Sequence, residues 1–281
     1  MLVTGGSGYL GGWVVRLARA DWNVTATYRA NAVGEPDADW RQLDVRDEAA
    51  VAVLVDEVQP QVLVHTASLN PGLGDDFEAV NAAGTGHVAR AAASVGARLI
   101  HISTDVVFDG RRGSYVEEDP PNPITPYGRS KALAEEAVLA SGAKAVIVRT
   151  SLIYGWRPNV ARAAQWIIDD LQAGKPVRLW TDEMRCPIWV ESLAAAVVEL
   201  ADLSYTGPLH VAGAQTLSRY EFGVRMLRFH GIDPSPVVPT PSPRDKPRLL
   251  DCTLGCSCAC ALLRTPLPGV DEVLAAHSPS S

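Results

Sequence analysis

Through the first half of the chain, short apolar and β-branched runs alternate with stretches patterned for helices. "LVTG" at 2–5, "NVTATYR" at 23–29, "WRQLDV" at 40–45, "VLVHTAS" at 62–68, "RLIHISTD" at 98–105 and "KAVIVRTS" at 144–151 read as strands. Between them lie "GGWVVRLARA", "DEAAVAVLVDEV" and "GTGHVARAAASVG", whose apolar residues recur at helical spacing. Near-continuous apolar strands separated by helices predict an α/β fold, a doubly wound parallel sheet covered on both faces. Ligands of such a sheet bind beyond the carboxyl ends of its strands.

After about residue 153 the pattern loosens. "WRPNVARAAQWIIDDLQAGKPVRLW" predicts a helix and a short strand, "LAAAVVELADL" a helix, and "GPLHVAG" a seventh strand. In "SRYEFGVRMLRFHG", Ser218 is placed to cap a helix and Gly231 to end it. The proline-rich "DPSPVVPTPSPRDKPR" at 233–248 reads as an extended loop or linker. Residues 1–153 plus 193–213 are expected to form the sheet domain. Residues 154–192 plus 214–281 form a smaller, discontinuous substrate-binding lobe, with a frayed C-terminal end.

Composition narrows the function classes. The 281 residues are 47% hydrophobic and 20% charged, ordinary for a globular chain, with a net charge of −7. An acidic balance argues against nucleic acid as a partner. No export signal precedes "MLVTGG", and the alanine- and valine-rich stretches are too short to span a bilayer, so a cytoplasmic setting without membrane contact is expected. Four of the five cysteines, Cys252, Cys256, Cys258 and Cys260, lie in "CTLGCSCAC". Their spacing lacks paired C-x2-C knuckles and no histidine is near, so they read as reduced cysteines on and beside a helix, with no metal.

"TGGSGYLGG" places Gly5, Gly8 and Gly11 after the first strand and at the opening of the first helix. That context suits a turn whose backbone amides approach a pyrophosphate, and hence a Rossmann dinucleotide site. The second strand ends in "TYRAN", with Arg29 and no carboxylate. A guanidinium fork suits a 2′-phosphate, so NADPH is favoured over NADH. Asp44 and Val45 are placed to meet adenine, and Thr66, Ala67 and Ser68 of "HTAS" lie where the cofactor crosses the fourth strand.

"TPYGRSK" supplies a helix cap at Thr125 and proline at the first helical position, which sets Tyr127 and Lys131 four apart on one face. A free phenol titrates near 10, and a nearby ammonium is expected to lower that value. The lysine can also hold a nicotinamide ribose. "ISTDVVFDG" ends the fifth strand with Ser103, Thr104 and Asp105 beside this helix. Thr104 is placed to bond a substrate carbonyl while Tyr127 delivers a proton. Asn81 in "VNAAGTG" could hold water or backbone in a proton relay, or simply cap a helix.

In order, "TGGSGYLG", "NAAGTG", "STDVVFDG", "YGRSK" and "RTSLIYG" resemble the extended short-chain dehydrogenase/reductases, closest to the dTDP-4-dehydrorhamnose reductase group. "CPIWVESLA" and "LHVAG...LSRYEF" extend the resemblance over nearly the whole chain. It implies a catalytic triad of Thr104, Tyr127 and Lys131. It also implies cofactor contacts from Gly8, Tyr9, Leu10 and Arg29, and substrate beside Asp105; Ser103 and Asn81 are also expected at the cofactor. Two departures matter. Leu152 follows "RTS" where the group commonly has a sugar-contacting tryptophan, and Val106 follows Asp105 where related dehydratases carry a second acid. Dehydration is therefore disfavoured.

The expected activity is NADPH-preferring reduction of a 4-keto group on a nucleotide-activated deoxysugar, with NAD as the alternative cofactor and a homodimer left open. An epimerase or a reductase of another carbonyl would use the same triad. The resemblance also reaches the methionine adenosyltransferase beta subunit, which keeps a non-catalytic nucleotide-binding regulatory subunit in view. His65, His101 and His210 read as satisfied structural histidines. Trp156, Trp180 and Trp189 read as packing of the smaller lobe. Arg185 reads as an exposed loop arginine or a diphosphate contact.

Overall fold

The structure, a computed structural model, describes residues 1–31, 38–156, 162–245 and 247–278. Its first part runs β1 (Leu2–Thr4), α1 (Tyr9–Ala18), β2 (Thr25–Tyr28), β3 (Asp39–Gln42), α2 (Glu48–Val58) and β4 (Val62–His65). A π-helical turn at Glu78–Ala83 leads into α3 (Gly84–Ser94), β5 (Arg98–Thr104), α4 (Pro126–Ala140) and β6 (Lys144–Thr150). Then follow β7 (Ile153–Tyr154), α5 (Arg162–Gln172), β8 (Val177–Trp180), β9 (Met184–Arg185), β10 (Ile188–Trp189) and α6 (Val190–Leu200). The chain closes with β11 (Gly207–His210), β12 (Leu217–Ser218), α7 (Arg219–Phe229), β13 (Val237–Thr240), α8 (Ser257–Leu262) and α9 (Val270–Ala276).

Seven strands form one parallel sheet in the order β11-β6-β5-β4-β1-β2-β3. Successive side chains on a strand point to opposite faces, and both faces are dry. Val3, Val64, Ile100 and Val148 face α1 and α6, whereas Leu2, Leu63, Leu99 and Ile147 face α2, α3 and α4. This is the doubly wound parallel fold. The strand order reverses between β4 and β1, so the turn after β1 and the loop after β4 meet at a crevice over the carboxyl edge.

Several boundaries differ from the sequence expectation. The third strand ends at Gln42, short of Asp44 and Val45. The "proline-rich linker" contains β13, which pairs in parallel with β8 from Val237↔Val177 to Thr240↔Trp180. Pro239 lacks an amide hydrogen but sits in a two-stranded ribbon beside the exposed Val238, where an edge position tolerates it. Ser218 caps α7 in a full capping box with Glu221, and Gly231 follows its end at φ +70°.

The two-lobe division is a proposal that rests on packing. Tyr154, Leu217, Phe222, Met226, Val270 and Val273 form a core apart from the sheet, as do Ile167, Ile168, Leu179, Leu227 and Val237. Trp156 stacks on Trp189 in the first of these regions, and His277 meets both rings edge-on. Among the described residues, no helix is long and apolar enough to cross a membrane.

Candidate active site

At the crevice, Gly5 turns the chain at φ +75° and donates its amide to the Thr27 hydroxyl at 3.1 Å. A Cβ there would lie 2.6 Å from the Ala67 nitrogen, and one on Gly11 would lie 2.3 Å from the Gly5 oxygen. No real contact is that short, so the turn, α1 and the 66–67 loop come together only because these positions lack side chains. Thr66 clamps the same point, donating to the Thr4 and Gly5 carbonyls at 2.8 and 3.2 Å. Gly8 is the N-cap of α1 and offers no side-chain cap, and the first turn carries no acid. The helix start thus presents amides and positive dipole to an anion.

Several neighbouring side chains expected at the cofactor are engaged in packing or ion pairs. Leu10 is buried in the sheet core, and Tyr9 packs between the sheet core and the smaller lobe against Gly155. The Tyr9 hydroxyl is buried without a hydrogen-bond partner among the described residues, and burial pushes its pKa up. Their side chains are committed to packing, which leaves only main-chain amides for a ligand. Val45 is also core, pressed on Gly84, where a Cβ would lie 2.8 Å from Val45 Cγ2. Asp44 stays at the surface but is gripped by Arg46, with Nη2–Oδ2 at 2.6 Å, and that bonding holds its carboxyl below the usual range. Arg29 follows β2 and is exposed, its carbonyl accepting from Gln42 Nε2 at 3.0 Å.

Thr104 and Asp105 diverge at the end of β5. Thr104 is half-buried; its hydroxyl donates to Asp105 Oδ1 at 3.1 Å and accepts from the Val106 amide at 3.4 Å. Asp105 turns inward and is buried, accepting from Ser151 Oγ at 2.7 Å and lying 3.6 Å from Arg185 Nε. Burial raises its pKa, and Arg185 leads the groups that oppose the rise. Arg185 is therefore neither an exposed loop arginine nor free for a diphosphate, since it is buried and also donates to the Leu249 and Met184 carbonyls. Leu152 is half-buried against the smaller lobe's core around Tyr154 and Phe222.

Thr125 caps α4 by accepting from the Gly128 amide at 3.0 Å, with Pro126 in the first turn. A Cβ on Gly128 would lie 2.3 Å from the Val106 oxygen, so glycine lets the helix start rest on the turn after Thr104. Gly128→Ala is expected to cost about 1–3 kcal/mol of stability by overpacking, read by urea denaturation; an unchanged midpoint would show that the contact relaxes freely.

That approach brings the Tyr127 ring to the loop after β4. Its hydroxyl lies 3.4 Å from Asn70 Oδ1, and Phe77 meets the ring edge-on at 5.9 Å. Burial pushes the phenol up to about 12, partly opposed by hydrogen bonding from Ser68 and Thr104 and reinforced by Asp105. Lys131 does not lower it, contrary to expectation. The Lys131 side chain runs inward, donating to the Ile102 carbonyl at 2.7 Å and lying 3.5 Å from His101 Nε2. Burial depresses the ammonium to about 8, with Glu135 opposing. The i, i+4 spacing put both residues on one face, but the two side chains end at different places.

Asn81 lies in the π-helical turn and is fully buried, not a cap. Its amide clamps the Leu69 backbone from both sides, at 2.8 and 3.0 Å, accepts from Ser68 Oγ and donates to Ser130 Oγ. Ser130 in turn donates to the Tyr127 carbonyl at 2.8 Å. Asn81 therefore ties the 68–69 loop to α4. The Ser103 hydroxyl faces away from Thr104 and donates to Glu135, which pairs with Arg149 at 2.8 Å in the interior, so its side chain is committed there. Asn70 and Phe77 were not foreseen, and nothing local in the sequence marks them.

His65 and His210 are satisfied, His65 by Thr4 and Thr85 and His210 by the Tyr115 carbonyl and Arg149. His101 is not, since its buried Nδ1 has no partner among the described residues. Cys252 is buried, Cys256 half-buried, and Cys258 and Cys260 lie exposed on α8, all as free thiols. Burial pushes the Cys252 and Cys256 thiols up to about 12. Among the described residues no group of three or more metal-ligating side chains is assembled.

A family model described as the RmlD substrate binding domain matches residues 1–268. A probable low-salt glycan biosynthesis reductase of Haloferax volcanii is 34% identical over 243 residues, covering 82% of this chain and 80% of its own. The methionine adenosyltransferase 2 subunit beta of Bos taurus is 31% identical over 274 residues, 90% of this chain and 80% of its own. A crystal structure of a hypothetical dTDP-4-dehydrorhamnose reductase from Sulfolobus tokodaii superposes with a TM-score of 0.84 at 31% identity, over 97% of this chain and 98% of that one.

Proposed function

The chain belongs to the RmlD substrate-binding-domain family, and from that membership and the site geometry we propose that it is a reductase of a keto sugar carried on a nucleotide, using NADPH in preference to NADH. The observation that supports this most directly is the packing of the start of α4, which carries Tyr127, onto the turn after Thr104, with the phenol reaching Asn70 in the loop after β4. The residues fit a dinucleotide: the Gly5–Gly8 turn and the start of α1 offer amides to a diphosphate, and Arg29 is exposed where a 2′-phosphate would be read. Bound NADPH supplies hydride.

The chain supplies the rest. Thr104 holds the carbonyl oxygen, and Tyr127 gives that oxygen its proton as the alkoxide develops. A phenol pushed up to about 12 is fully protonated at neutral pH, so it is ready as an acid and poor as a base. Lys131 holds a positive charge under the reacting face and can bond ribose hydroxyls.

Arg29→Ala is expected to reduce the preference for NADPH over NADH by roughly 10–100-fold, the equivalent of a charge-assisted hydrogen bond to phosphate. The ratio of kcat/KM values for the two cofactors reads it, and an unchanged ratio would remove the basis for the NADPH preference. The likeness to the Bos taurus subunit supports a second reading, a nucleotide-binding regulatory protein. Consumption of NADPH with a panel of nucleotide-linked keto sugars separates the two, since a regulatory subunit would bind without turnover.

A further inference from the structure

We propose that His101 is a positioning residue, a neutral hydrogen-bond acceptor that fixes the Lys131 ammonium against β5 and keeps it charged. The proposal rests on the reading of Lys131 as part of the reducing site. Lys131 is buried on α4 and its Nζ meets two acceptors on adjacent residues of β5, the Ile102 carbonyl at 2.7 Å and His101 Nε2 at 3.5 Å. An ammonium has only donors, so for this contact to be a hydrogen bond Nε2 must be bare and the ring proton must sit on Nδ1. That assignment has a cost in this fold. Nδ1 is buried and has no partner among the described residues.

His65 cannot relieve it. It stacks on His101 with centroids 5.4 Å apart, and both its nitrogens are engaged, Nδ1 with Thr4 Oγ1 at 2.6 Å and Nε2 with Thr85 Oγ1 at 3.0 Å. A buried N–H without a partner is destabilising and calls for an explanation. The bond that Nε2 makes to Lys131 supplies one. The stack also fixes the ring plane, so the lone pair stays aimed at Nζ.

The charged and titratable groups that bear on this pair are His65 on β4 and Glu135 on α4, the latter paired with Arg149 on β6. Burial and the Lys131 charge hold both imidazoles below their ordinary pKa, so His101 remains an acceptor across the working pH range. Protonation of His101 would set two cations side by side.

The full-length chain has four lysines, Lys131, Lys144, Lys175 and Lys246, so lysine-labelled NMR can follow the Lys131 side chain through a titration. In His101→Leu the Lys131 midpoint is expected to fall by about one pH unit, because the charged form loses an acceptor. The alkaline limb of kcat should move by the same amount with KM for the sugar unchanged, and His101→Gln, which retains an acceptor, should restore part of the shift. A midpoint unmoved in His101→Leu overturns the proposal. Should that variant not fold, the wild-type imidazole spectrum decides: His101 protonated at Nδ1 supports the proposal, and protonation at Nε2 overturns it. Full activity in Lys131→Met would sink the reading of the reducing site while leaving the His101 tautomer and the Lys131 midpoint as separate results.

Discussion

Tyr127→Phe is expected to lower keto-sugar reduction by roughly 10²–10⁴-fold, the usual contribution of a positioned general acid, with NADPH affinity unchanged. The substitution removes one oxygen from a ring held by Phe77 and by the helix start at Pro126, so the fold should not respond. The loss frees Asn70 Oδ1 from a long 3.4 Å contact. Stopped-flow single turnovers with saturating NADPH would show the defect in the chemical step. Retained turnover would mean that the proton comes from elsewhere, with Thr104 the next group to test.

Lys131→Met is expected to remove most activity and at the same time stabilise the chain. The sign follows from burial. The ammonium titrates at about 8 in the folded protein against 10.5 in the unfolded chain, so between those values the unfolded chain binds more protons and stability rises with pH. Below about 8 the penalty of the buried charge is present in full, on the order of 3 kcal/mol. Methionine removes that penalty but leaves the Ile102 carbonyl without its donor, so a net gain of about 1–2 kcal/mol is expected, a few degrees in Tm. Calorimetry across pH 7 to 10 reads it: the gain should shrink as pH passes 8, because wild type then sheds its own burden. Wild-type reduction should fall over the same range as Lys131 loses its charge, while the Tyr127 phenol stays protonated. A Lys131→Met protein that is active, or less stable than wild type at pH 7, would contradict this account.

Pairing a functional group with a stability cost is a common signature of sites evolved for chemistry. Two further costs lie close by, the His101 Nδ1 without a partner among the described residues and the buried Asp105, which keeps its carboxyl beside Arg185 and Ser151. Both belong to β5 or its end, the strand that carries Thr104.

Much of this was legible in the chain itself. The alternation of apolar runs and helical stretches specified the sheet, because a strand buried on both faces must be apolar throughout. The spacing of Gly5 and Gly11 specified a tight turn under a helix. Thr125 and Pro126 specified where α4 begins, and so put Tyr127 on the correct turn. These are local or periodic properties, written in consecutive residues. Side-chain destinations are not. Lys131 and Tyr127 share a helical face, yet one ends at the Ile102 carbonyl of β5 and the other reaches Asn70 in the loop after β4, because each side chain follows the partner that packing sets beside it. Ser103 and Thr104 are neighbours in sequence and opposites in space, since a strand sends alternate residues to alternate faces and only the packing says which face is which. Asn70, Asn81 and Arg185 gained their roles from partners 57, 49 and 65 residues away, distances over which no sequence pattern reaches. The sequence by itself determined the sheet, the glycine turn and the helix that carries the phenol; only the tertiary structure decided which groups lose water, and burial, more than spacing, moves the pKa of Tyr127 up and those of Lys131 and His101 down.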